Sequence, residues 1–161
     1  MRNEILYVRD ENGGFLPADG AEVVEAAKGY LNRRIRRSSP VTSPKTARDY
    51  LAVTLGAREA EYFCILLLDS RHRVMEFVEL FRGTIDGASV HPREVVKLAL
   101  AKNAAAVILV HNHPSGVAEP SRADEVITIR IRDALNLVDI RTVDLSVAGG
   151  DVVSLAERGA L

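Results

Sequence analysis

The chain has 161 residues, 47% of them hydrophobic and 27% charged, enough for a domain with a true core and too apolar for a disordered or low-complexity class. A formal net charge of -1 excludes a protein that binds nucleic acid through overall charge, leaving only a local basic patch open. The single cysteine, Cys64, excludes a disulfide within the chain and a cysteine-built zinc site, and it suits a reducing cytosol.

Met1-Arg-Asn-Glu-Ile-Leu6 has no apolar run of signal-peptide length, and the stretches Cys64–Leu68 and Ala104–Val110 are far too short to span a bilayer. The expectation is a cytoplasmic protein with no membrane partner. Glu4–Arg9 and Phe15–Leu16 flank Asn12-Gly13-Gly14 as in a small hairpin or extended arm. From Ala21 to Ile35 the spacing of Val23, Val24, Ala27, Leu31 and Ile35 predicts a helix starting near Asp19 or Gly20. It ends in Arg33, Arg34, Arg36 and Arg37, a cluster that complements the helix dipole as a solvated face or, alternatively, contacts nucleic acid. Ser38–Pro44 reads as a linker, dividing an N-terminal appendage (1–42) from the main domain (43–161).

The main domain opens with a short helix, Ser43 as its cap, Pro44 at its first position, Ala47, Leu51 and Leu55 on one face and Gly56 as its stop. Glu61–Asp69 is almost continuously apolar, the pattern of a strand buried on both faces. Arg71-His72-Arg73 turns the chain, with His72 expected in solvent, and Val74–Phe81 returns as a second strand. His91-Pro92 opens a helix through Leu100, with Ser89 or His91 as its cap. Ala104–Val110 is another buried strand that runs into His111-Asn112-His113-Pro114. A helix from about Ser121 to Leu137, a strand near Arg141–Val147, a Gly149-Gly150 turn and a last short strand complete the series. Interleaved helices and strands with at least one hairpin predict an α/β sandwich around a mixed sheet.

The chemistry concentrates between His111 and Asp124. Residues i and i+2 of a strand share a face, so the imidazoles of His111 and His113 can converge on one point. Two neighbouring buried histidines without partners are costly, and a shared cation relieves both. Asp124 falls in the first turn of the next helix, where the loop containing Pro114, Gly116 and Pro120 can bring its carboxylate back to the pair. Two histidines and a carboxylate leave one tetrahedral position for water, as in catalytic zinc sites. Ser121-x-x-Asp124 is also close to a capping box, and the two roles are compatible. Water on such a metal needs a nearby carboxylate base that is not itself a ligand. Glu61, Glu76, Glu79, Glu94 and Glu119 are candidates; spacing does not choose among them, although Glu61 gains some preference from its place at the rim of a buried strand.

His-x-His-Pro-x6-Ser-x2-Asp resembles the metal signature of the JAB/MPN-plus (JAMM) metalloproteases. Leu80-Phe-Arg-Gly-Thr84, Ala88-Ser-Val-His-Pro-Arg-Glu94 and Ala104–Gly116 resemble its RadC-like branch in particular. The resemblance runs from about Ser43 to the C-terminus. It implies a JAB/MPN-like, cytidine-deaminase-like architecture, one Zn2+ with a bound water held by His111, His113 and Asp124, and hydrolysis of a peptide or isopeptide bond. Glu61, ahead of Phe63–Leu68, matches the position of the catalytic glutamate, and Ser121 would serve the developing oxyanion or position the water. Two departures stand out. Deubiquitinating members carry Ser or Thr where this chain has Asn112, and the first 37 residues do not resemble the helix-hairpin-helix unit of full-length RadC proteins. The alternative is a DNA-associated binding module with a structural or vestigial metal, motivated by the Arg33–Arg37 cluster. A nucleobase deaminase lacks support, because the Pro-Cys-x-x-Cys signature is absent.

Overall fold

The computed structural model describes residues 5–37, 44–56, 58–83, 90–116, 119–148 and 151–154, giving the backbone alone at 34–37, 44–46, 144–148 and 151. Ser38–Ser43 of the expected linker, the side chains of Arg34, Arg36 and Arg37, Ser89, the Gly149-Gly150 turn and the C-terminal tail lie outside the described residues.

The chain begins with the hairpin β1 (Tyr7–Arg9) and β2 (Phe15–Pro17), followed by the helices α1 (Gly20–Arg37) and α2 (Pro44–Leu55). Then come β3 (Tyr62–Leu68), β4 (Val74–Arg82), α3 (Pro92–Ala101), β5 (Ala106–His113), α4 (Arg122–Asn136), β6 (Arg141–Ala148) and β7 (Asp151–Val153). The main sheet has five strands in the order β4-β3-β5-β6-β7. All neighbours are antiparallel except β5 and β6, which run parallel with α4 as their connection. This is the expected mixed sheet. Among the described residues no helix is long and apolar enough to cross a membrane.

Both faces of the sheet are covered, and alternation along the strands assigns each side chain to a layer. Cys64, Leu66, Leu68, Ala106, Ile108 and Val110 pack with Tyr50, Leu51 and Leu55 of α2, and Leu31 of α1 adds to that cluster. Phe63, Ile65, Leu67, Val107 and Leu109 face the other way, onto Val95 and Ala99 of α3 and Ile131 and Leu135 of α4. Each fully buried Leu or Ile contributes about 1.5–3 kcal/mol, so the central strands β3 and β5 anchor the domain. Cys64 has no access to solvent, and burial, with Glu79 nearby and Arg58 opposing, pushes its thiol up to about 12. It is a small hydrophobe here, as expected.

Local contacts explain the element ends. The Glu22 N–H donates to Asp19 Oδ1 at 2.8 Å and the Asp19 N–H to Glu22 Oε2 at 2.9 Å, a reciprocal cap that starts α1. His91 holds the cap position of α3, but its side chain makes no capping bond. Its ring lies edge-on to Phe81 at 6.0 Å instead, and the fixed φ of Pro92 opens the helix. His72 sits in the turn, as expected, where its contact is an exposed one. It takes a left-handed φ of 58° that turns β3 into β4, and its Nε2 lies 2.7 Å from a guanidinium nitrogen of Arg141.

That turn rests on Asp69. Its Oδ1 accepts the N–H groups of Arg71 and Arg73 at 2.8 and 2.9 Å, and its Oδ2 accepts Arg73 Nε at 2.7 Å. The Arg73 backbone bond foremost holds this carboxyl below its ordinary value; burial, the next effect, opposes it, and the Arg73 side chain and the Arg71 N–H add to the lowering. The ionised form is therefore the one the fold prefers. Its contribution is complete above the unfolded carboxylate pKa and is lost as pH falls through the lowered folded value. Asp69→Asn is expected to lower the thermal midpoint by a few degrees at neutral pH. The difference from the native chain should vanish in acid, as thermal melts across pH will read.

Candidate metal centre

The alternation that places Val107 and Leu109 on the α4 side of the sheet continues through His111 and His113. Both imidazoles therefore leave β5 toward α4, with ring centroids 4.8 Å apart. After His113 the chain turns through Pro114 and Ser115. Gly116 takes φ of 78°, a left-handed value that glycine adopts without strain, and its N–H closes the turn on the His113 carbonyl at 3.0 Å. The chain then enters α4 from the side the histidines face.

Ser121 caps α4, and Asp124 stands at its third position. The Asp124 N–H donates to Ser121 Oγ at 3.2 Å, while the Ser121 N–H and Oγ–H both donate to Asp124 Oδ2, at 2.7 and 2.6 Å. The capping box and the carboxylate of the site are thus one structure. The cap locks the Asp124 side chain and points it at the imidazoles. Asp124 Oδ1 lies 3.6 Å from His111 Nε2, and Oδ2 lies 3.6 Å from His113 Nε2.

These separations exceed a hydrogen bond and suit donors that share a cation. Two ligands about 2.1 Å from one ion at a tetrahedral angle stand roughly 3.4 Å apart. One donor atom from each of His111, His113 and Asp124 lies within 4.8 Å of the other two. His111 is only 3% exposed, and its buried Nε2 has no hydrogen-bond partner. An orphaned nitrogen aimed at a carboxylate beyond bonding distance is what a metal ligand looks like without its metal. The three side chains can therefore hold a metal ion.

The electrostatics agree. Burial, with a smaller push from His113 and against the pull of Asp124, lowers His111 to about 4. Its imidazole is neutral at physiological pH, the form that offers a lone pair to a metal. For Asp124, burial acts upward, but His111, the two hydrogen bonds from Ser121 and His113 outweigh it and keep the carboxylate ionised below its ordinary value.

Glu61 reaches the same place from β3. The β3–β5 register ends with Phe63 opposite His111, and Glu61 lies two residues beyond Phe63, just before β3. Parity puts Glu61 on the Phe63 face, toward α4. Its half-buried carboxyl is raised by burial and by Asp124, with His113 partly offsetting them, so it lies within electrostatic range of the site. Three of the rival glutamates are engaged elsewhere. Glu76 pairs with Lys102 at 2.8 Å, Glu79 is bound to Arg58, and Glu94 pairs with Lys97 at 3.5 Å. Glu119 is exposed on the loop before α4.

The structural role of one residue that stands out in the sequence is not legible there. Asn112, between the histidines, is buried on the opposite side of the sheet and reaches across to the backbone beside Glu61. The only signal was an amide where related metal sites carry a hydroxyl.

Comparison with known proteins matches residues 41–160 to the RadC-like JAB domain. The chain is 60% identical over 139 residues to a UPF0758 protein of Thioalkalivibrio sulfidiphilus, an alignment covering 86% of this chain and 62% of that one. It is 59% identical to a UPF0758 protein of Nitrosococcus oceani, with the same coverage. A UPF0758 protein of Aeromonas hydrophila is 57% identical over 152 residues, 92% of this chain and 68% of the relative. The chain thus spans 62% of the length of the first two relatives. With the fold, the His-x-His-Pro strand end and the matched domain in agreement, this chain belongs to the RadC-like JAB domain family.

Proposed function

We propose that this domain is a zinc-dependent hydrolase of amide bonds, a peptidase or isopeptidase. The observation that carries the reading is the orphaned, buried Nε2 of His111 beside His113 and a capped Asp124, with Glu61 within electrostatic range of them. His111, His113 and Asp124 would hold the ion. When bound, a divalent cation polarises the scissile carbonyl and makes water a nucleophile near neutral pH.

Glu61 is the base that takes the proton of the attacking water and returns it to the leaving nitrogen. Its upward shift brings its pKa closer to the working pH, where one group can both accept and release a proton. Ser121 has a single hydroxyl proton, held by Asp124 Oδ2 at 2.6 Å, and the Ser121 N–H holds the same oxygen at 2.7 Å. The hydroxyl can therefore turn to a developing oxyanion while the backbone bond keeps Asp124 in place. Ser121→Ala is expected to lower kcat/KM by about 10- to 100-fold at saturating zinc.

The test is to determine the metal content of the purified chain and then to incubate it with a proteome-derived peptide library and with isopeptide-linked conjugates. Cleavage that stops on chelation and returns with zinc supports the hydrolase. A zinc-loaded protein that cuts neither overturns it.

A further inference from the structure

The β3–β5 ladder ends at Phe63 and His111. One step further the register faces Tyr62 with Asn112, and a side chain replaces the main chain there. Asn112 Oδ1 accepts the Tyr62 N–H at 2.9 Å, and Asn112 Nδ2 donates to the Ala60 carbonyl at 3.0 Å. The two bonds bracket Glu61. From the other side, the Gly83 N–H donates to the Glu61 carbonyl at 2.8 Å. The backbone of Glu61 is thus held from β5 by an amide and from the end of β4 by a peptide group.

The choice of asparagine follows from this geometry. A carboxamide presents one acceptor and one donor side by side, the complement of an N–H and a C=O on the same chain edge. A serine or threonine hydroxyl has one oxygen for both tasks and a shorter reach. Asn112 is only 2% exposed, so water does not replace either bond.

We propose that Asn112 is a positioning residue: its carboxamide stands in for the β3–β5 ladder and holds Glu61 beside the metal ligands. The role of Glu61 rests on the hydrolase reading, but its placement by Asn112 does not. Asn112 sends its side chain away from the imidazoles, so it sets the base and not the ligands.

The experiment is a double-mutant cycle on the full chain, with Asn112→Ala and Glu61→Gln alone and together. Asn112→Ser replaces the alanine variant if that variant does not fold. Zinc affinity is read by competition with a chelating indicator, turnover by the peptide assay, and protection of the Tyr62 amide by hydrogen exchange. The Tyr62 amide should exchange at least about 10-fold faster in the Asn112 variant while Leu66, deep in β3, keeps its protection. Glu61→Gln should weaken zinc by about 3- to 10-fold in the native background and by less than about 2-fold beside Asn112→Ala. Where turnover is measurable, Asn112→Ala should lower kcat more than it raises KM and add little to Glu61→Gln. Additive effects on zinc affinity, or unchanged exchange at Tyr62, overturn the proposal. Failure to cut any peptide sinks the hydrolase reading, while the zinc cycle still decides the placement of Glu61.

Discussion

Glu61→Gln is expected to lower kcat/KM by about 10²- to 10⁴-fold while zinc remains bound, because it removes a proton carrier and none of the three ligands. Glutamine keeps the shape and one oxygen, so the strand end should not move. The metal-free variant should also be slightly more stable than the native chain at neutral pH. The folded state raises the Glu61 pKa, chiefly through burial and Asp124, so it disfavours the ionised form relative to the unfolded chain. Native protein therefore holds the extra proton between the ordinary glutamate pKa and the raised one, and stability falls as pH rises through that window. Above it, the ionised carboxylate is a standing cost that glutamine does not carry. A higher thermal midpoint for metal-free Glu61→Gln at pH 7, converging with the native chain in acid, together with lost turnover, would mark a group strained for function. Retained turnover in zinc-loaded Glu61→Gln protein would remove Glu61 from the mechanism. A lower midpoint would mean that the carboxylate supports the fold.

Much of this site is legible in the sequence, for local reasons. Period-two alternation through Val107, Leu109, His111 and His113 is a property of a single strand, and Ser121-x-x-Asp124 is a property of one helix start. Both features survive in the structure, where the capping box and the carboxylate that faces the imidazoles are the same side chain. What stayed hidden depends on pairing between distant segments. Glu61 could not be separated from four other glutamates by spacing, because the β3–β5 pairing that brings the start of β3 beside His111 is a long-range feature. Asn112 bonds the backbone of Tyr62 across a separation of 50 residues, and a polar residue between two histidines gives no hint of which strand it will meet. His72 sits in the turn as read, but its partner Arg141 lies 69 residues away, which the turn alone does not reveal. His91 shows the opposite error: a residue in the right place for a cap is not one when proline already sets the first turn.

The double duty of Asp124 gives the second large prediction, because two substitutions separate its roles. If the residue only caps α4, Asp124→Ala should cost about 0.5–2 kcal/mol at every zinc concentration, and Asp124→Asn should cost less, since its carbonyl still accepts the Ser121 N–H. If it is also a ligand, both variants should lose zinc, because an amide oxygen is neutral and the buried imidazole of His111 is left without the anion that balances the ion. A lost ligand should weaken zinc at least as much as the ~100-fold seen at the upper end for supporting residues. At a zinc concentration 100 times the native Kd, binding stabilises the native chain by about 2.7 kcal/mol. A 100-fold weaker variant gains only about 0.4 kcal/mol at the same concentration. Thermal melts with and without zinc thus distinguish the cases: a zinc-induced shift preserved in Asp124→Asn makes the carboxylate a helix cap alone, and its collapse in both variants makes Asp124 the third ligand. The asparagine variant is the sharper of the two, since it spares most of the cap while removing the charge, and any loss of the zinc shift then belongs to the metal centre.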